Sequence, residues 1–482
     1  MSRLPSPVSG LPQVTLIGAG LAGSLLSLYL ARRGFAVDIC ERRPDMRKGQ
    51  IGGGRSINLA LSTRGIHALK DVGLHEQIMK IAIPMKGRMI HSPAGELMFQ
   101  RYGKDDSEVI YATSRSELNI ALMNAAEKQS NVRIHFSQRC TGMNVGTGDI
   151  TLVDETSGRS SSVQTSAVIG TDGSASAIRT AIGESIAFDF SEQYLEYGYK
   201  ELIIPAGPEG TFLLEKNALH IWPRGVYMLI ALPNIDGSFT CTFFFPFEGP
   251  ISFATLNSEA KVLEFFQQQF PDAVALMPGL LEDYFTNPTG SMVTIKCKPW
   301  HVGGRVALLG DAAHAIVPFF GQGMNCAFED CTVLDEIMGN MEKGEGLPAE
   351  AIAQAVGREK GEKRVEWERG FREFERQRKV NADAIADMAV ENFVEMRDHV
   401  AQPKFQLKKR MEAALQQRFP DIFIPKYSMV TFHRVPYSVA LLRGRVQDKI
   451  LDELGFSITS PEEIDWKKAD ELIHARLTSL YD

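Results

Sequence analysis

The sequence predicts an α/β fold in three parts: a Rossmann-like nucleotide-binding domain, a discontinuous second domain built on a mainly antiparallel sheet, and a helical C-terminal region. Three segments far apart in the chain indicate the first domain, namely Ile17–Gly23, Ile169–Gly173 and Leu308–His314. Each joins a short apolar run to glycines, as expected where parallel strands end at a ligand-binding edge. Strand patterns between 197 and 247 indicate the second domain, and the charged stretch 350–398 indicates the helical region.

The first segment has the pattern of a strand, a glycine turn and a helix. Val14–Ile17 is apolar with β-branched members, and Leu21–Leu30 has helical composition. The turn supplies glycines for the tight bend, for close approach of a pyrophosphate and for packing of the helix on the strand, in the order Gly18, Gly20 and Gly23. A second strand, Phe35–Cys40, ends at Glu41, at the distance where an acid can bind a ribose hydroxyl. These features predict a βαβ dinucleotide site.

Composition narrows the class of protein. A chain of 482 residues is expected to form two or three domains, and a net charge of -7 gives no basic footprint for nucleic acid. The six cysteines are scattered without metal-ligand spacing, so reduced thiols in a cytoplasmic protein and no metal site are expected. No signal peptide or membrane anchor is predicted. A small molecule is the expected partner, and monomer and homodimer both stay open.

A β-hairpin is predicted over Met85–Tyr102, because two alternating segments flank a turn signal. If the turn centres on Ala94, Arg88 lies opposite Gln100, and Tyr102 lies diagonal to Arg88 on the same face. A slip of one residue would separate the two side chains.

Other elements follow from local patterns. A Ser56–Leu61 segment follows a polar stretch that resembles a mobile loop, and Ser114 is expected to cap its helix together with Glu117. In chain order the remaining predictions are helices at Thr63–Val72 and Ser114–Lys128, strands at Val132–Phe136, Ile150–Asp154, Ser166–Ile169, Tyr199–Ile204, His220–Trp222, Val226–Leu232 and Phe239–Phe245, a helix at Lys261–Phe270, strands at Met292–Cys297 and Val306–Leu309, and a helix ending near Gly339. The predicted domains are 1–84, 103–196 and 290–345 for the nucleotide-binding domain, 85–102 and 197–289 for the second, and 346–482 for the helical region.

Gly310–Asp311 follows a buried strand, so Asp311 is expected at a strand end, where an acid can bind sugar-like hydroxyls. Downstream, Pro318–Asn325 opens a helix whose free N–H groups and positive dipole end would stabilise an anion. A reduced flavin is such an anion. An ordinary glycine loop before a helix is the alternative.

Together, the GxGxxG turn with Glu41, Asp172–Gly173 and Gly310–Asp311 resemble the fingerprints of single-component, FAD-dependent aromatic hydroxylases of the para-hydroxybenzoate hydroxylase fold. Within that class the chain is similar to the kynurenine 3-monooxygenases over about residues 13–445. The segments that carry this likeness are Gly54–Leu61, Lys86–Met89, Tyr102–Ser107, His220–Pro223, Pro318–Asn325 and Pro425–Phe432.

The resemblance implies a reaction and a set of site residues. NADPH would reduce tightly bound FAD, O2 would add to form a C4a-hydroperoxyflavin, and oxygen would pass to the ring of L-kynurenine. Besides the three glycines, the implied FAD-binding residues are Glu41, Arg42, Arg55, Arg115, Asp172, Asp311, Gly323, Met324 and Asn325. The implied catalytic ring pocket holds Phe319, Phe320 and Gly321, and the implied substrate-binding residues are Arg88, Tyr102, Asn392 and Tyr427.

The substrate residues can also be argued from the sequence, with alternatives that stay open. Arg88 offers a planar fork to a carboxylate, but a strand arginine in solvent is common, and the sequence alone favours that alternative. Asn392 falls on an apolar helical stripe with Ile385, Met388 and Met396, where its amide could bind substrate or a neighbouring helix. Tyr427 could be a core tyrosine with a bonded hydroxyl. His314 is expected to be structural or close to the flavin, because this chemistry needs no general base.

Three rival functions remain. The first is a flavin hydroxylase of a phenol or salicylate, which would need no partner for an amino acid. The second is a flavin dehydrogenase or disulfide reductase, disfavoured because Cys326 and Cys331 lie within one helix and face different sides. The third is a flavin-binding sensor without activity.

Overall fold

A computed structural model describes residues 11–49, 58–343, 367–399, 402–455 and 458–480. Three parts of the predictions lie outside the described residues. They are the implied FAD-binding residue Arg55, the glycine run 52–54, and residues 350–366 at the start of the predicted helical stretch. In chain order the strands are β1 (Gln13–Ile17), β2 (Ala36–Cys40), β3 (Asn58–Leu61), β4 (Ile83–Met85), β5 (Gly87–His91), β6 (Leu97–Arg101), β7 (Ile110–Ser114), β8 (Val132–His135), β9 (Gln138–Asn144), β10 (Asp149–Asp154), β11 (Ser160–Gln164), β12 (Ala167–Gly170), β13 (Asp189–Ile204), β14 (Ala218–Pro223), β15 (Met228–Pro233), β16 (Phe239–Pro246), β17 (Gly290–Lys298), β18 (His301–Val302) and β19 (Val306–Leu308).

The helices of the described residues lie around these strands and at the C-terminal end. In chain order they are α1 (Leu21–Arg32), α2 (Thr63–Asp71), α3 (His75–Met79), α4 (Arg115–Glu127), α5 (Ala177–Ser185), α6 (Glu259–Gln269), α7 (Pro271–Val274), α8 (Leu280–Thr286), α9 (Asp311–His314), α10 (Gly323–Glu342), α11 (Trp367–Val394), α12 (Pro403–Arg418), α13 (Lys426–Thr431), α14 (Tyr437–Gly455) and α15 (Trp466–Arg476). A 3₁₀ turn, Pro318–Phe320, precedes α10. The Ser114 hydroxyl caps α4 by accepting a hydrogen bond from the Glu117 N–H, as predicted.

A six-stranded sheet in the order β18-β19-β12-β1-β2-β8 forms the Rossmann-like part, and it is parallel apart from β18. Its central strands β1, β2 and β12 are mainly apolar and buried on both faces, as is typical of parallel sheets. In register, Ile17 pairs with Gly170 on one side and with Cys40 on the other. The carboxyl ends of three strands therefore meet at one edge, where Gly18, Thr171 and Glu41 follow.

A seven-stranded sheet in the order β17-β13-β16-β15-β14-β5-β6 forms the second part. All its neighbours are antiparallel except β14 and β5, so the mainly antiparallel sheet is confirmed. The hairpin register is also confirmed, since Arg88 lies opposite Gln100. Strand β17 was assigned to the nucleotide-binding domain from sequence, yet it pairs with β13 in this sheet. The domain boundaries stay a prediction.

The two faces of this sheet have different neighbours because side chains alternate along each strand. On β16, Phe243 and Phe245 pack into an aromatic core with α6, α7 and α8. Thr242 and Phe244 point to the other face and line a large cavity. That cavity lies between the seven-stranded sheet and the Rossmann-like part. Two three-stranded sheets, β11-β10-β9 and β3-β7-β4, flank it.

Helices α11 to α15 confirm the helical C-terminal region. Along α11 the predicted stripe is buried, with Ile385, Met388 and Asn392 facing inward and Met396 continuing it. No helix among the described residues has the length and apolar character needed to cross a bilayer.

Candidate active site

The glycine turn after β1 is open at Gly20 and closely packed at Gly23. Gly18 has φ +103°, a left-handed conformation that favours glycine. A Cβ added to Gly23 would lie 2.0 Å from the Gly18 carbonyl oxygen, so α1 can pack this closely only with glycine there. A Cβ added to Gly20 would meet no atom within 4 Å, and Gly20 lines the cavity. Backbone at Gly20 is therefore open to a bound group.

Acidic side chains follow the strand ends around this turn. The Glu41 carboxylate accepts hydrogen bonds from the Ala19 N–H at 2.8 Å and the Arg43 N–H at 2.9 Å, which fixes it at the cavity wall. Asp172 Oδ2 accepts from the Ala177 N–H at 2.7 Å, while its buried Oδ1 has no partner for a hydrogen bond in the part of the chain that the structure describes. Burial raises the pKa of Asp172. An orphaned acceptor beside an open glycine turn fits a ligand that supplies hydroxyl or amine donors.

The Gly310–Asp311 motif adds a third acid. Gly310 has φ +63°, and its N–H donates to Asp330 Oδ2 at 3.1 Å. Asp311 begins α9, is exposed, and lines the cavity. Its position at a strand end is as predicted.

The loop before α10 presents backbone donors to the same cavity. Gly321 has φ +66°, and a Cβ there would lie 3.2 Å from the Ala60 Cβ, so the loop needs glycine at this turn. Gln322 precedes the helix without a side-chain cap, which leaves the first N–H groups of α10 free to bind an anion. Phe319, Phe320 and Met324 line the cavity beside this helix end.

Asn325 lies behind that wall rather than in it. Its Nδ2 donates to the carbonyl oxygens of Ala60, at 2.8 Å, and Gly321, at 2.9 Å, and its Oδ1 accepts from the Ser62 N–H at 2.9 Å. These bonds tie β3 to the glycine loop. The implied place of Asn325 beside the flavin stays a prediction.

One cavity of about 1400 Å³ joins the open side of the glycine turn, the three acids and the loop before α10. Most of the residues implied by the resemblance lie on its wall: Gly18, Gly20, Glu41, Arg42, Arg88, Tyr102, Arg115, Asp172, Asp311, Phe319, Phe320, Gly321, Gly323, Met324 and Tyr427. The wall residues that the sequence did not single out include Leu59 and Ala60 of β3, and Thr240, Thr242 and Phe244 of β16. For the residues of β16, the alternation of side chains along the strand was the signal that could have indicated them.

At the end of the cavity away from the glycine turn lies a buried arginine beside two stacked tyrosines. The rings of Tyr102 and Tyr427 are stacked with centroids 5.3 Å apart. The Arg88 Cζ lies 5.5 Å from the Tyr102 ring centroid and 5.7 Å from that of Tyr427. Arg88 is 8 % exposed, and its Nε has no hydrogen-bond partner among the described residues. No carboxylate of the described residues lies within 4.0 Å of its guanidinium nitrogens.

Asn392 lies close to this end but does not reach the cavity wall. Its Nδ2 donates to the Phe319 carbonyl oxygen at 2.7 Å. The contact with a neighbouring element, which the sequence left open, is therefore the one present here. Substrate binding by Asn392 stays a prediction.

Comparison with known proteins places this geometry in a family. The model of the "FAD binding domain" family matches residues 12–212 and 268–352. The kynurenine 3-monooxygenase of Myxococcus xanthus (strain DK1622) is 55% identical over 465 residues, which cover 96% of this chain and 95% of that protein. That of Dictyostelium discoideum is 46% identical over 462 residues, covering 95% and 97%.

The chain belongs to the kynurenine 3-monooxygenase family. It is an FAD-dependent aromatic monooxygenase, with NADPH and O2 the usual co-substrates of this enzyme class. The phenol or salicylate hydroxylase, the dehydrogenase and the sensor are not favoured.

Solved structures show the same fold at low identity. The tetrameric form of 2-methyl-3-hydroxypyridine-5-carboxylic acid oxygenase has a TM-score of 0.63 and 19% identity, covering 84% of this chain and 96% of that chain. Klebsiella pneumoniae HpxO complexed with FAD and uric acid has a TM-score of 0.61 and 20% identity, covering 85% and 95%. The predicted class of fold is thus confirmed.

The residues at the nucleotide end of the cavity fit the FAD that the family requires. Gly20 leaves the backbone accessible to a pyrophosphate, the orphaned Asp172 Oδ1 can accept from a hydroxyl, and the free N–H groups of α10 face the same space.

His314 has the place of a structural residue in this member of the family. It is 2 % exposed, and its Nε2 lies 2.6 Å from Asp330 Oδ2. Burial alone would lower the pKa of His314, but the facing Asp330 carboxylate outweighs burial and holds it well above its usual value. A charged histidine bonded to a carboxylate away from the cavity wall cannot serve as a general base.

Proposed function

We propose that this enzyme hydroxylates L-kynurenine to 3-hydroxykynurenine, using NADPH and O2 with bound FAD. The observation that carries the proposal is the buried Arg88, which has no carboxylate of the described residues within 4.0 Å, at the end of an aromatic cavity that continues to the FAD site. A buried cation needs an anionic partner, and an amino-acid carboxylate supplies one. A simple phenol has no group for this position.

In this proposal Arg88 receives the α-carboxylate, with its planar guanidinium forming charge-assisted hydrogen bonds. Tyr102 and Tyr427 flank the guanidinium, and burial raises the pKa of both phenols. Both therefore stay protonated at neutral pH and can donate hydrogen bonds to the same carboxylate. With this end fixed, the aromatic ring extends toward Phe319 and Phe320, which form the ring pocket.

At the other end of the cavity, Glu41 and Asp172 hold the nucleotide hydroxyls, and the α10 N-terminus stabilises the negative charge of the reduced ring. Arg42 and Arg115 contribute positive charge to the same wall. FAD, when bound, accepts hydride from NADPH and activates O2. The protein contributes position, exclusion of water and electrostatics, because the amine-activated ring needs no protein base.

The six free cysteines are all buried, which supports a cytoplasmic location.

The test is NADPH oxidation by the FAD-loaded enzyme with and without L-kynurenine, with the mass and regiochemistry of the product. We expect substrate-dependent oxidation that yields 3-hydroxykynurenine. The matched control is 2-aminoacetophenone, which keeps the aminophenyl ketone but lacks the amino-acid end. It should stimulate the enzyme only weakly, because it has no carboxylate that can pair with Arg88.

Stimulation by L-kynurenine that gives only hydrogen peroxide would mean that another aromatic is the substrate. Equal turnover of both compounds would remove Arg88 from substrate recognition.

A further inference from the structure

Arg64, which the sequence did not single out, is a fully buried arginine with every side of its guanidinium occupied. It is the second residue of α2 and is 1 % exposed. Its Nη1 donates to the carbonyl oxygens of Val430 and, at 2.9 Å, His433, and its Nη2 donates to that of Val435. One side chain therefore binds three backbone positions within six residues of chain.

The guanidinium is also held by residues of α10 and α14. Its Nε lies 3.0 Å from Glu329 Oε1 on α10, and its Cζ lies 4.0 Å from the ring centroid of Tyr437. Glu329 compensates the buried charge, and the ring covers one guanidinium face. These contacts leave Arg64 a single orientation.

The segment that Arg64 binds carries a residue of the proposed substrate site. Residues 426–435 consist of α13 and the turn after it, and Tyr427 lies in the first turn of α13. The Tyr427 ring stacks on Tyr102 at 5.3 Å and on Phe320 at 5.6 Å between centroids. Two residues before Arg64, the Ser62 N–H donates to Asn325 Oδ1 on α10. Arg64 thus joins α10, through Glu329, to the segment with Tyr427.

We propose that Arg64 is a positioning residue for the substrate site, and that it acts by fixing the segment 426–435 and hence Tyr427. This proposal rests on the proposed function. The geometry requires a forked donor, since a lysine ammonium at this place cannot reach three carbonyl oxygens and face Glu329 at once. Without the fork, Tyr427 loses its fixed place opposite Tyr102.

The test uses FAD-loaded Arg64→Lys, with Arg33→Lys as the matched control. Arg33 also forms an ion pair, with Asp335 at 2.6 Å, and donates to the Asp335 carbonyl oxygen, but it contacts nothing in the segment 426–435. We expect Arg64→Lys to raise KM for L-kynurenine about tenfold with little change in kcat, and Arg33→Lys to change neither.

A double-mutant cycle with Tyr427→Phe separates positioning from general damage. If Arg64 acts through Tyr427, the double variant should show a KM close to that of the more impaired single variant. Multiplied effects of the two substitutions, or an equal effect of Arg33→Lys, would overturn the proposal.

A second readout needs no substrate. Hydrogen exchange of the backbone over 426–435 in the FAD-loaded enzyme should be several-fold faster in Arg64→Lys than in wild type or Arg33→Lys. Unchanged exchange would overturn the positioning role even if L-kynurenine were not the substrate. Should Arg64→Lys give no FAD-containing protein, Glu329→Gln, which removes the charge facing Nε, takes its place with the same expectations.

Discussion

Two buried arginines distinguish a ligand-binding residue from a structural one. Arg64 has carbonyl and aromatic partners and a carboxylate 3.0 Å from its Nε, whereas Arg88 lies beside two tyrosine rings with no carboxylate of the described residues within 4.0 Å. A buried cation without a close carboxylate can bind an anionic group of a ligand. In the sequence, Arg64 and Arg88 look alike, since each is an arginine near apolar residues. The difference between them comes from their partners in the tertiary structure.

Replacement of Arg88 by alanine tests its role at the residue scale. We expect Arg88→Ala to raise KM for L-kynurenine about 10- to 100-fold, the effect of losing about 1.5–3 kcal/mol of charge-assisted hydrogen bonding. FAD content should not change, because Arg88 lies at the other end of the cavity. Arg101→Ala, on the exposed strand of the same hairpin, is the control. Loss of flavin without a change in substrate affinity would contradict the assignment.

The glycine turn allows two alanine substitutions to be compared three residues apart. Gly20→Ala should leave the fold intact, since its Cβ meets open space, but should weaken FAD binding at least tenfold because the methyl group occupies the pyrophosphate's approach. Gly23→Ala should instead lower the thermal unfolding temperature even without FAD, because its Cβ would overlap the Gly18 carbonyl. Flavin titration and apoprotein melting measure the two effects. Equal behaviour of both variants would be evidence against this division.

The site residues differ in how well the sequence predicts their position and partners. Glu41 and Asp311 could be placed from sequence, because strand ends in a parallel sheet share an edge. Asn325 and Asn392 could not, since an amide on a buried helix face gives no sign of whether it bonds a ligand or a neighbouring carbonyl. Both bond carbonyls in the structure, of Ala60 and Gly321 for Asn325 and of Phe319 for Asn392.

At the element scale, a chain of buried hydrogen bonds holds strand β5 on the face that carries His91. His220 Nε2 lies 2.9 Å from the Glu215 carbonyl oxygen and must donate, so a neutral His220 accepts at Nδ1 from His91 Nε2, also at 2.9 Å. His91 Nδ1 then donates to Asp272 Oδ2 at 2.6 Å. His91 therefore joins His220 to Asp272. Arg88 lies on the opposite face of the same strand.

This chain gives a pH dependence with a defined sign. Burial lowers the pKa of His220 from 6.5 to about 4. Its contribution to stability is fully present above pH 6.5 and is lost as pH falls toward 4, by up to about 3 kcal/mol. His220→Asn should therefore be less stable than wild type at pH 7.5, with a difference that narrows at pH 5 in urea unfolding. Exposed His474→Asn is the control, and parallel pH profiles for wild type and His220→Asn would contradict this account.

Elements with a clear hydrophobic period or clear turn and cap residues could be predicted from the sequence, whereas polar, exposed strands could not. The hairpin β5–β6 and helix α4 match the sequence closely because turn and cap residues fix them. Strand β13 begins ten residues before its predicted start at Tyr199, since its first half is polar and exposed and pairs with β17, a strand far away in the sequence. The parallel pairing of β14 with β5 joins segments more than a hundred residues apart, which local patterns do not encode.

At the scale of the whole molecule, a buried row of alternating charges joins the C-terminal helices to the Rossmann-like part. Arg378 on α11 pairs with Glu329 at 2.7 Å and with Asp330 at 2.6 Å, both on α10. Asp330 in turn bonds His314 and the Gly310 N–H, and Glu329 faces Arg64. Burial alone would raise the pKa of Asp330 and Glu329, but the surrounding cations outweigh burial and hold both below their usual values.

Removal of Arg378 should therefore leave two buried carboxylates with too little positive charge. We expect Arg378→Met to cost about 3–5 kcal/mol at pH 7.5, the usual effect of breaking a buried ion pair. The paired carboxylates of wild type lose stability as pH falls through their lowered pKa values, whereas the uncompensated ones of the variant gain protons more readily. The deficit should thus shrink between pH 7.5 and pH 5 in urea unfolding. Arg376→Met, on the same helix but exposed and paired only with Glu373, should leave stability unchanged, and a deficit that grows toward pH 5 would show that this row of charges does not hold the C-terminal helices in place.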